Sequence, residues 1–407
     1  MKTNEMDDVN QTTTISQQLT SHHGEVMMGS YASPLTVLER GEGCHVWDVD
    51  GKRYLDFLGG IAVNSLGYAH PALVDAVSNQ IRTLSHVSNY FATPPQLGLA
   101  DRLLRITGAG QGGRVYFGNS GAEAMEAAFK LARLNSGGTR TRIITLRDSF
   151  HGRTMGSLAL TGKPSIQEAF LPMPGGVEHI DSTVAALEAA IDDTVAALIF
   201  EPIKGEAGVV DLPEGFVTRA RELTQQHGAL LIIDEIQTGI GRTGEWFAYQ
   251  SHGILPDAVA IAKGLGGGVP IGALVTFGRA SELYRPGHHG STFGGNPLVT
   301  AAGNAVLDEI ERADLLGNAR RRGAQLREGI TALGSPLVEQ VRGRGLLMGV
   351  GLSAPRSKEV MAAALQRGLI VNAANDSSIR IAPPLVVGDR EVAEFLELFA
   401  DALAAVA

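Results

Sequence analysis

Residues 229–237 read ALLIIDEIQ, and residues 258–264 read AVAIAKG. Each is a short apolar run that stops on a charged residue, Asp234 in the first and Lys263 in the second. Runs of this length are too short for a buried helix and read as strands covered on both faces. Similar runs occur at 114–117, 142–146, 195–200 and 272–277. Ala-rich stretches with helical spacing, at 123–134 and 184–190, separate several of them. This alternation predicts an α/β fold, a mostly parallel central sheet with helices on both faces.

The flanks read differently. VWDVDGKRYLDFL, from Val46, predicts a hairpin with Asp50-Gly51 as its turn. Downstream, GLLMGVGL, GLIVN and SIRIA read as strands, with helices at 358–367 and 390–406. The expected division is a flexible polar tail (1–18) and an N-terminal segment packing with the small domain (19–55). A large cofactor-binding domain (56–300) and a smaller α+β C-terminal domain (301–407) follow.

The 407 residues suffice for a large core. Lys and Arg number 34 against 43 Asp and Glu, a net −9 that gives no pull toward nucleic acid or an anionic membrane surface. There is no apolar run long enough to span a bilayer and no signal peptide, so no membrane partner is expected. Cys44 is the single cysteine, which excludes disulfide frameworks and Cys-based zinc sites and points to a reducing cytoplasm. His22-His23 and His288-His289 lack acids at ligand spacing, so no metal is expected.

Ligands of an open parallel sheet bind beyond the carboxyl ends of its strands. Gly118-Asn119-Ser120-Gly121-Ala122-Glu123 follows the first run, with Ser120-x-x-Glu123 as a capping box. The free N–H groups of Gly121 and Ala122 would suit a phosphate. Taken alone, the box is a common helix start. Phe150-His151-Gly152-Arg153 follows the second run, and Glu201 with Glu206 the third. Asp234 is not the Mg²⁺ aspartate of a P-loop ATPase, because Gly162-Lys163-Pro164 breaks the upstream phosphate motif. The G-x-G-x-x-G matches at 108–113 and 239–244 lack the strand context of a dinucleotide site. Lys263 lies between AVAIA and a glycine-rich turn, where burial would lower its pKa; a surface lysine at a loop start is the bland alternative. A phosphate cradle, a carboxylate, an aromatic ring and a buried lysine together point to pyridoxal 5′-phosphate.

With these motifs the sequence resembles the class III pyridoxal-phosphate aminotransferases, and within them the enzymes acting on acetylornithine. The resemblance rests on VYFGNSGAEAMEAAFKLAR, SFHGRTMGSLALTG, IFEPIKGEAGV, LLIIDEIQTGIGRTGEWFAYQ, PDAVAIAKGLGGGVPIGA, GSTFGGNPL and VRGRGLLMGV, in the family's order from about Val26 to Asp401. It implies fold type I and a homodimer with shared active sites. It implies Lys263 as the catalytic lysine that also binds the cofactor covalently, and Asp234 as the partner of the pyridine nitrogen. Ile236 and Phe150 would pack the two ring faces, and Gln237 would bond the ring hydroxyl oxygen. Gly121 and Ala122 match the phosphate turn, while Thr292 would reach the phosphate in the neighbouring subunit. Arg153 would grip the substrate α-carboxylate, with Ser291 near the substrate. Glu206 and Arg380 match a pair that switches between substrates, and Glu201 is expected to be a structural carboxylate of the site.

The implied reaction moves the side-chain amine of N2-acetylornithine to 2-oxoglutarate, in arginine biosynthesis. Ile61, where ornithine-using relatives carry a tyrosine, offers no partner to a free α-amine and favours the acylated donor. Ornithine, succinylornithine and 4-aminobutyrate remain alternative donors. A same-fold aminomutase, decarboxylase or racemase, a binding protein that has lost catalysis, and a nicotinamide oxidoreductase are the remaining rivals. Two departures from the family pattern stand out, Lys204 in EPIKGE and Tyr68 in GYAHP. Lys204 is expected to point outward into solvent; pointing inward, it would alter substrate preference.

Overall fold

The computed structural model describes residues 14–407. Its centre is a seven-stranded sheet, in the order Arg114–Gly118, Gly272–Thr276, Ala258–Ile261, Leu230–Asp234, Val195–Phe200, Arg142–Leu146, Val177–Ile180. Only Gly272–Thr276 runs antiparallel to its neighbours; the other pairings are parallel. Gly118, Leu146, Phe200, Asp234 and Ile261 therefore end strands along one edge, and the reversed strand begins there at Gly272.

Every residue of the strands Val195–Phe200, Leu230–Asp234, Ala258–Ile261 and Gly272–Thr276 is buried. Helix Gly121–Leu134 covers one face, with Ala124, Ala127, Ala128 and Leu131 against Ile232, Ala260 and Leu274. On the other face Phe216, Ala220 and Leu223 of helix Phe216–His227 join Phe200, Leu231, Ile233 and Val259. Each fully buried Leu, Ile or Phe contributes about 1.5–3 kcal/mol relative to exposure. Strand Val177–Ile180, at the sheet's edge and partly exposed, lacks the apolar run that marked the others.

The C-terminal residues build an antiparallel sheet ordered Val338–Arg344, Leu347–Leu352, Ser378–Ile381, Asn372–Asn375. The expected hairpin forms from His45–Asp48 and Arg53–Asp56, and it pairs in parallel with Leu369–Ile370 from the other end of the chain. Phe57 stacks on Phe395 at 4.5 Å between ring centroids, and Arg53 pairs with Glu394 at 2.6 Å. The turn is held by Asp48, whose Oδ1 accepts from the N–H groups of Asp50 and Lys52. Asp50 instead accepts from the N–H of Ile15 at 3.1 Å.

That contact corrects the reading of the N-terminus. Residues 1–13 of the expected tail lie outside the described residues, but helix Ile15–Val26 begins within it, capped by Thr14. The capping box Thr14-x-x-Gln17 is the local signal for this start. The expected boundary at residue 300 falls inside helix Pro297–Arg312, which Asn296 caps. Among the described residues no helix is long and apolar enough to cross a membrane, and no group of three or more His, Cys, Asp or Glu could hold a metal.

Candidate active site

The strand ends converge on a cavity of about 470 Å³. Of the residues singled out from sequence, Gly121, Ala122, Phe150, Arg153, Glu201, Glu206, Asp234, Ile236, Gln237 and Lys263 line it. The reversed strand contributes its approach segment, Gly268–Ile271.

The N-terminus of helix Gly121–Leu134 opens onto this space. In its first turn the N–H groups of Gly121 and Ala122 have no acceptor within the helix. Ser120 Oγ accepts from the N–H of Glu123 at 3.1 Å, one half of the expected capping box. The other half does not form. The Glu123 carboxylate instead accepts from the backbone N–H of Asn119 at 2.6 Å and from its side-chain amide at 2.8 Å. Gly118 permits this, because a Cβ there would lie 3.0 Å from Glu123. Asn119 also donates to Ser291 Oγ at 3.2 Å, so Ser291 is tied to the cavity rim without lining it.

Asp234 ends its strand and is buried. One oxygen accepts from the N–H of Ile236 at 3.0 Å; the other lies 2.7 Å from His151 Nδ1. His151 is itself buried, and its Nε2 lies 3.3 Å from Thr145 Oγ1. Sequence reasoning quoted His151 but gave it no role. The available signal was its position at a strand end on the same edge as a buried acid.

Glu201 lies against the same cluster. Its carboxylate accepts from the N–H of Phe150 at 2.9 Å and of Gly205 at 3.3 Å. Burial, only partly offset by His151, pushes its pKa up to about 7. It thus holds the loop that carries Phe150, in keeping with the structural role expected of it.

Lys263 follows strand Ala258–Ile261 with φ +42°, a left-handed conformation unusual for a residue with a side chain. Burial and the nearby Arg380 guanidinium push its pKa down to about 8. The neutral amine, the form that attacks carbonyls, is accordingly accessible close to neutral pH.

Arg380, on strand Ser378–Ile381, is buried and does not itself line the cavity, but it contacts Glu206 and Gln237, which do. Its Nη1 pairs with Glu206 and donates to Gln237 Oε1 at 3.2 Å, while Nη2 donates to Asn372 Oδ1 at 2.8 Å. Burial raises the Glu206 pKa, but Arg380 and then Lys263 and Lys163 outweigh it and hold the carboxyl below its ordinary range. Arg153 is exposed at the mouth, its guanidinium 5.8 Å from the centre of the Phe150 ring.

Besides Ser291 at the rim and Arg380 behind Glu206, two further expected site residues do not line the cavity of this chain. Thr292 is exposed on a loop beside His86 and Asn89. Ile61 is 41% exposed in a turn where Gly59, Gly60 and Ile61 all have positive φ; Val63 is the residue of that segment that lines the cavity.

The two departures resolve structurally. Lys204, expected outward in solvent, is buried, and its Nζ donates to the carbonyl of Arg147 at 3.3 Å and to Ser182 Oγ at 3.1 Å. Those oxygens stand in for solvent, and the amine turns neither outward nor to Glu206. Tyr68 donates to Asp56 Oδ2 at 2.6 Å and packs outside the cavity.

The donor set fits pyridoxal 5′-phosphate. The helix N-terminus suits the phosphate, Asp234 suits a protonated pyridine nitrogen, Ile236 and Phe150 suit the ring, and the Lys263 amine suits the aldehyde carbon. A Cβ on Gly121 would lie 2.9 Å from Ile236 Cδ1, so the glycine keeps the cradle open beside that residue.

Comparison with known proteins agrees with this chemistry. The family model for class-III aminotransferases matches residues 27–403. The chain is 54% identical over 382 residues to an acetylornithine aminotransferase of Streptomyces coelicolor, covering 93% of this chain and 94% of that protein. It is 53% identical to one from Mycobacterium tuberculosis over 372 residues, 91% of this chain and 92% of that one. Among solved structures, N-acetylornithine aminotransferase from Stenotrophomonas maltophilia superposes with a TM-score of 0.82 at 36% identity, covering 95% and 98% of the two chains. Ornithine aminotransferase from Toxoplasma gondii superposes with a TM-score of 0.90 at 32% identity, covering 96% and 95%. The chain belongs to the class-III aminotransferases, the pyridoxal-phosphate-dependent family whose cofactor its donor set fits.

Proposed function

We propose that the protein transfers the side-chain amine of N2-acetylornithine to 2-oxoglutarate, giving N-acetylglutamate semialdehyde and glutamate, a step of arginine biosynthesis. The observation that carries this reading is the closed Glu206–Arg380 pair, whose Glu206 lines one cavity together with Arg153, Lys263 and Asp234. The acetylornithine aminotransferases that the chain resembles at about half identity support it.

Arg153 binds the carboxylate remote from the reacting carbon, the α-carboxylate of the donor and the distal carboxylate of 2-oxoglutarate, in a bidentate geometry that lysine does not copy. A side-chain amine donor needs no second cation, and the Glu206–Arg380 pair cancels that charge while the donor is bound. 2-Oxoglutarate carries a second carboxylate, which Arg380 takes once Glu206 releases it. Bound pyridoxal phosphate carries the amino group between the two substrates and accepts electron density from the reacting carbon. Asp234, held by His151, keeps the ring nitrogen protonated. Lys263 takes the proton from the amine-bearing carbon and returns it on the cofactor side. Phe150 and Ile236 hold the ring, Gln237 bonds its hydroxyl oxygen, and Gly121 and Ala122 bind the phosphate.

Donor choice rests on the apolar Ile61–Val63 segment, which meets the cavity of this chain at Val63. It offers no partner to a free α-ammonium, and leaving such a charge unpaired costs several kcal/mol. We infer a homodimer in which Thr292 reaches the phosphate bound by the partner. In support, the exposed apolar residues Phe91 (67%) and Phe293 (59%) lie beside the loop that carries Thr292. A cytoplasmic enzyme is in keeping with its single, buried cysteine.

The test is product identification. Holoenzyme incubated with N-acetylornithine and 2-oxoglutarate yields N-acetylglutamate semialdehyde and glutamate in equal amounts; glutamate formed from ornithine or 4-aminobutyrate but not from N-acetylornithine overturns the donor assignment.

A further inference from the structure

Glu206 faces three cations. Arg380 pairs with its carboxylate, and the charges of Lys263, on the cavity wall, and of Lys163 also act on it. Lys163 Nζ donates to the main-chain carbonyl of Glu206 itself at 3.1 Å. The ammonium is thus anchored on the residue whose side chain must change partners.

The anchor is rigid. The peptide before Lys163 is clamped at the end of a central strand: Gly162 donates to Ser149 O at 3.2 Å and accepts from the N–H of Asp148 at 2.9 Å. A Cβ on Gly162 would collide with the carbonyl of Leu146. Beyond it, Gln167 donates to the carbonyl of Thr161 at 2.7 Å. Lys163 is half-buried, makes no ion pair among the described residues, and is not among the residues that line the cavity.

When Arg380 turns to the α-carboxylate of 2-oxoglutarate, beside the reacting carbon, Glu206 keeps its charge in a partly desolvated position. A buried carboxylate that loses its partner opposes the change that stranded it. Lys263 is committed to proton transfer. We propose that Lys163 is a specificity-determining residue for the acceptor: its ammonium takes over the charge of Glu206 once Arg380 has left, and so stabilises the dicarboxylate-binding state of the site. The carbonyl that accepts from Lys163 and the carboxylate belong to the same residue, Glu206, so the ammonium needs to change only its acceptor within that residue. This rests on the switch role given to Glu206 and Arg380 above.

The experiment uses holoenzyme and two unreactive probes, glutarate and pentanoate, titrated by calorimetry. Glutarate needs Arg153 and Arg380; pentanoate needs only Arg153. Lys163→Gln should weaken glutarate about tenfold and leave pentanoate unchanged, a coupling of ordinary size. Lys163→Arg should keep glutarate binding. In a Glu206→Gln background, Lys163→Gln should have no further effect, because no charge remains to be taken over. Glutarate affinity within twofold of wild type in Lys163→Gln, or an equal loss for both probes, overturns the proposal. The full loss persisting in the Glu206→Gln background also overturns it. The donor assignment is judged separately, because no amino donor enters these titrations. If glutarate binds wild type no better than pentanoate, it is the switch itself that fails.

Discussion

His151 Nδ1 and an oxygen of Asp234 lie 2.7 Å apart, both residues buried at the carboxyl edge of the central sheet. The carboxylate thus has a fixed direction before any ligand arrives, with its other oxygen held by the N–H of Ile236. A hydrogen bond to a charged group contributes about 1.5–3 kcal/mol. His151→Phe should therefore lower kcat by roughly 10- to 100-fold while leaving KM for the donor nearly unchanged. Stopped-flow rates of each half-reaction check this, and an unchanged kcat would remove His151 from the site's working parts.

Asp234→Asn keeps the shape and removes the charge. Its expected cost is on the order of 10² or more in kcat, as for other groups that stabilise developing charge. Reconstitution with a cofactor analogue whose ring nitrogen is permanently charged should restore part of the loss in this variant. No rescue would mean that Asp234 acts on something other than the ring nitrogen.

Lys263 titrates near 8, against an ordinary value of 10.5. In the folded chain the charged form is the disfavoured one, so between about 8 and 10.5 the unfolded state holds more protons. Lys263 should therefore contribute a rise in apoenzyme stability with pH across that window, read as the difference in pH dependence between wild type and Lys263→Met. Denaturant titrations of apoenzyme at pH 7.5 and 10 measure it. Lys263→Ala should also lose turnover while still binding pyridoxal phosphate non-covalently.

Gly272 starts the reversed strand against the turn that precedes the phosphate-binding helix. A Cβ there would collide with the carbonyl oxygen of Ser120. Gly272→Ala should cost about 1–3 kcal/mol of stability. It should also weaken pyridoxal phosphate, because the Ser120–Ala122 turn must move. A lowered Tm of apoenzyme together with a raised Kd for the cofactor is the expected pair of readouts.

Much of this site was legible in the sequence because the sheet brings strand ends together. Asp234, Lys263, Gly121 and Phe150 each follow an apolar run, and parallel order puts such positions on one edge. Glu206 and Arg380 were nameable only by resemblance, since 174 residues separate partners that the fold joins. His151 and Lys163 were not assigned, because a hydrogen bond to a buried acid or to a distant carbonyl leaves no local pattern. Lys204 shows the opposite failure. A lysine two residues from a glutamate reads as solvated, yet a carbonyl and a hydroxyl give its amine a buried seat. The edge strand Val177–Ile180 escaped notice because only one flank of it is paired, which leaves it partly exposed and without a continuous apolar run.

Donor preference is measured most directly by kcat/KM for N-acetylornithine, succinylornithine, ornithine and 4-aminobutyrate, each with 2-oxoglutarate as acceptor under the same conditions. The apolar Ile61–Val63 segment, which offers no partner to a free α-ammonium, predicts a value for free ornithine lower than that for N-acetylornithine by on the order of 10². A preference for ornithine or 4-aminobutyrate would contradict the account.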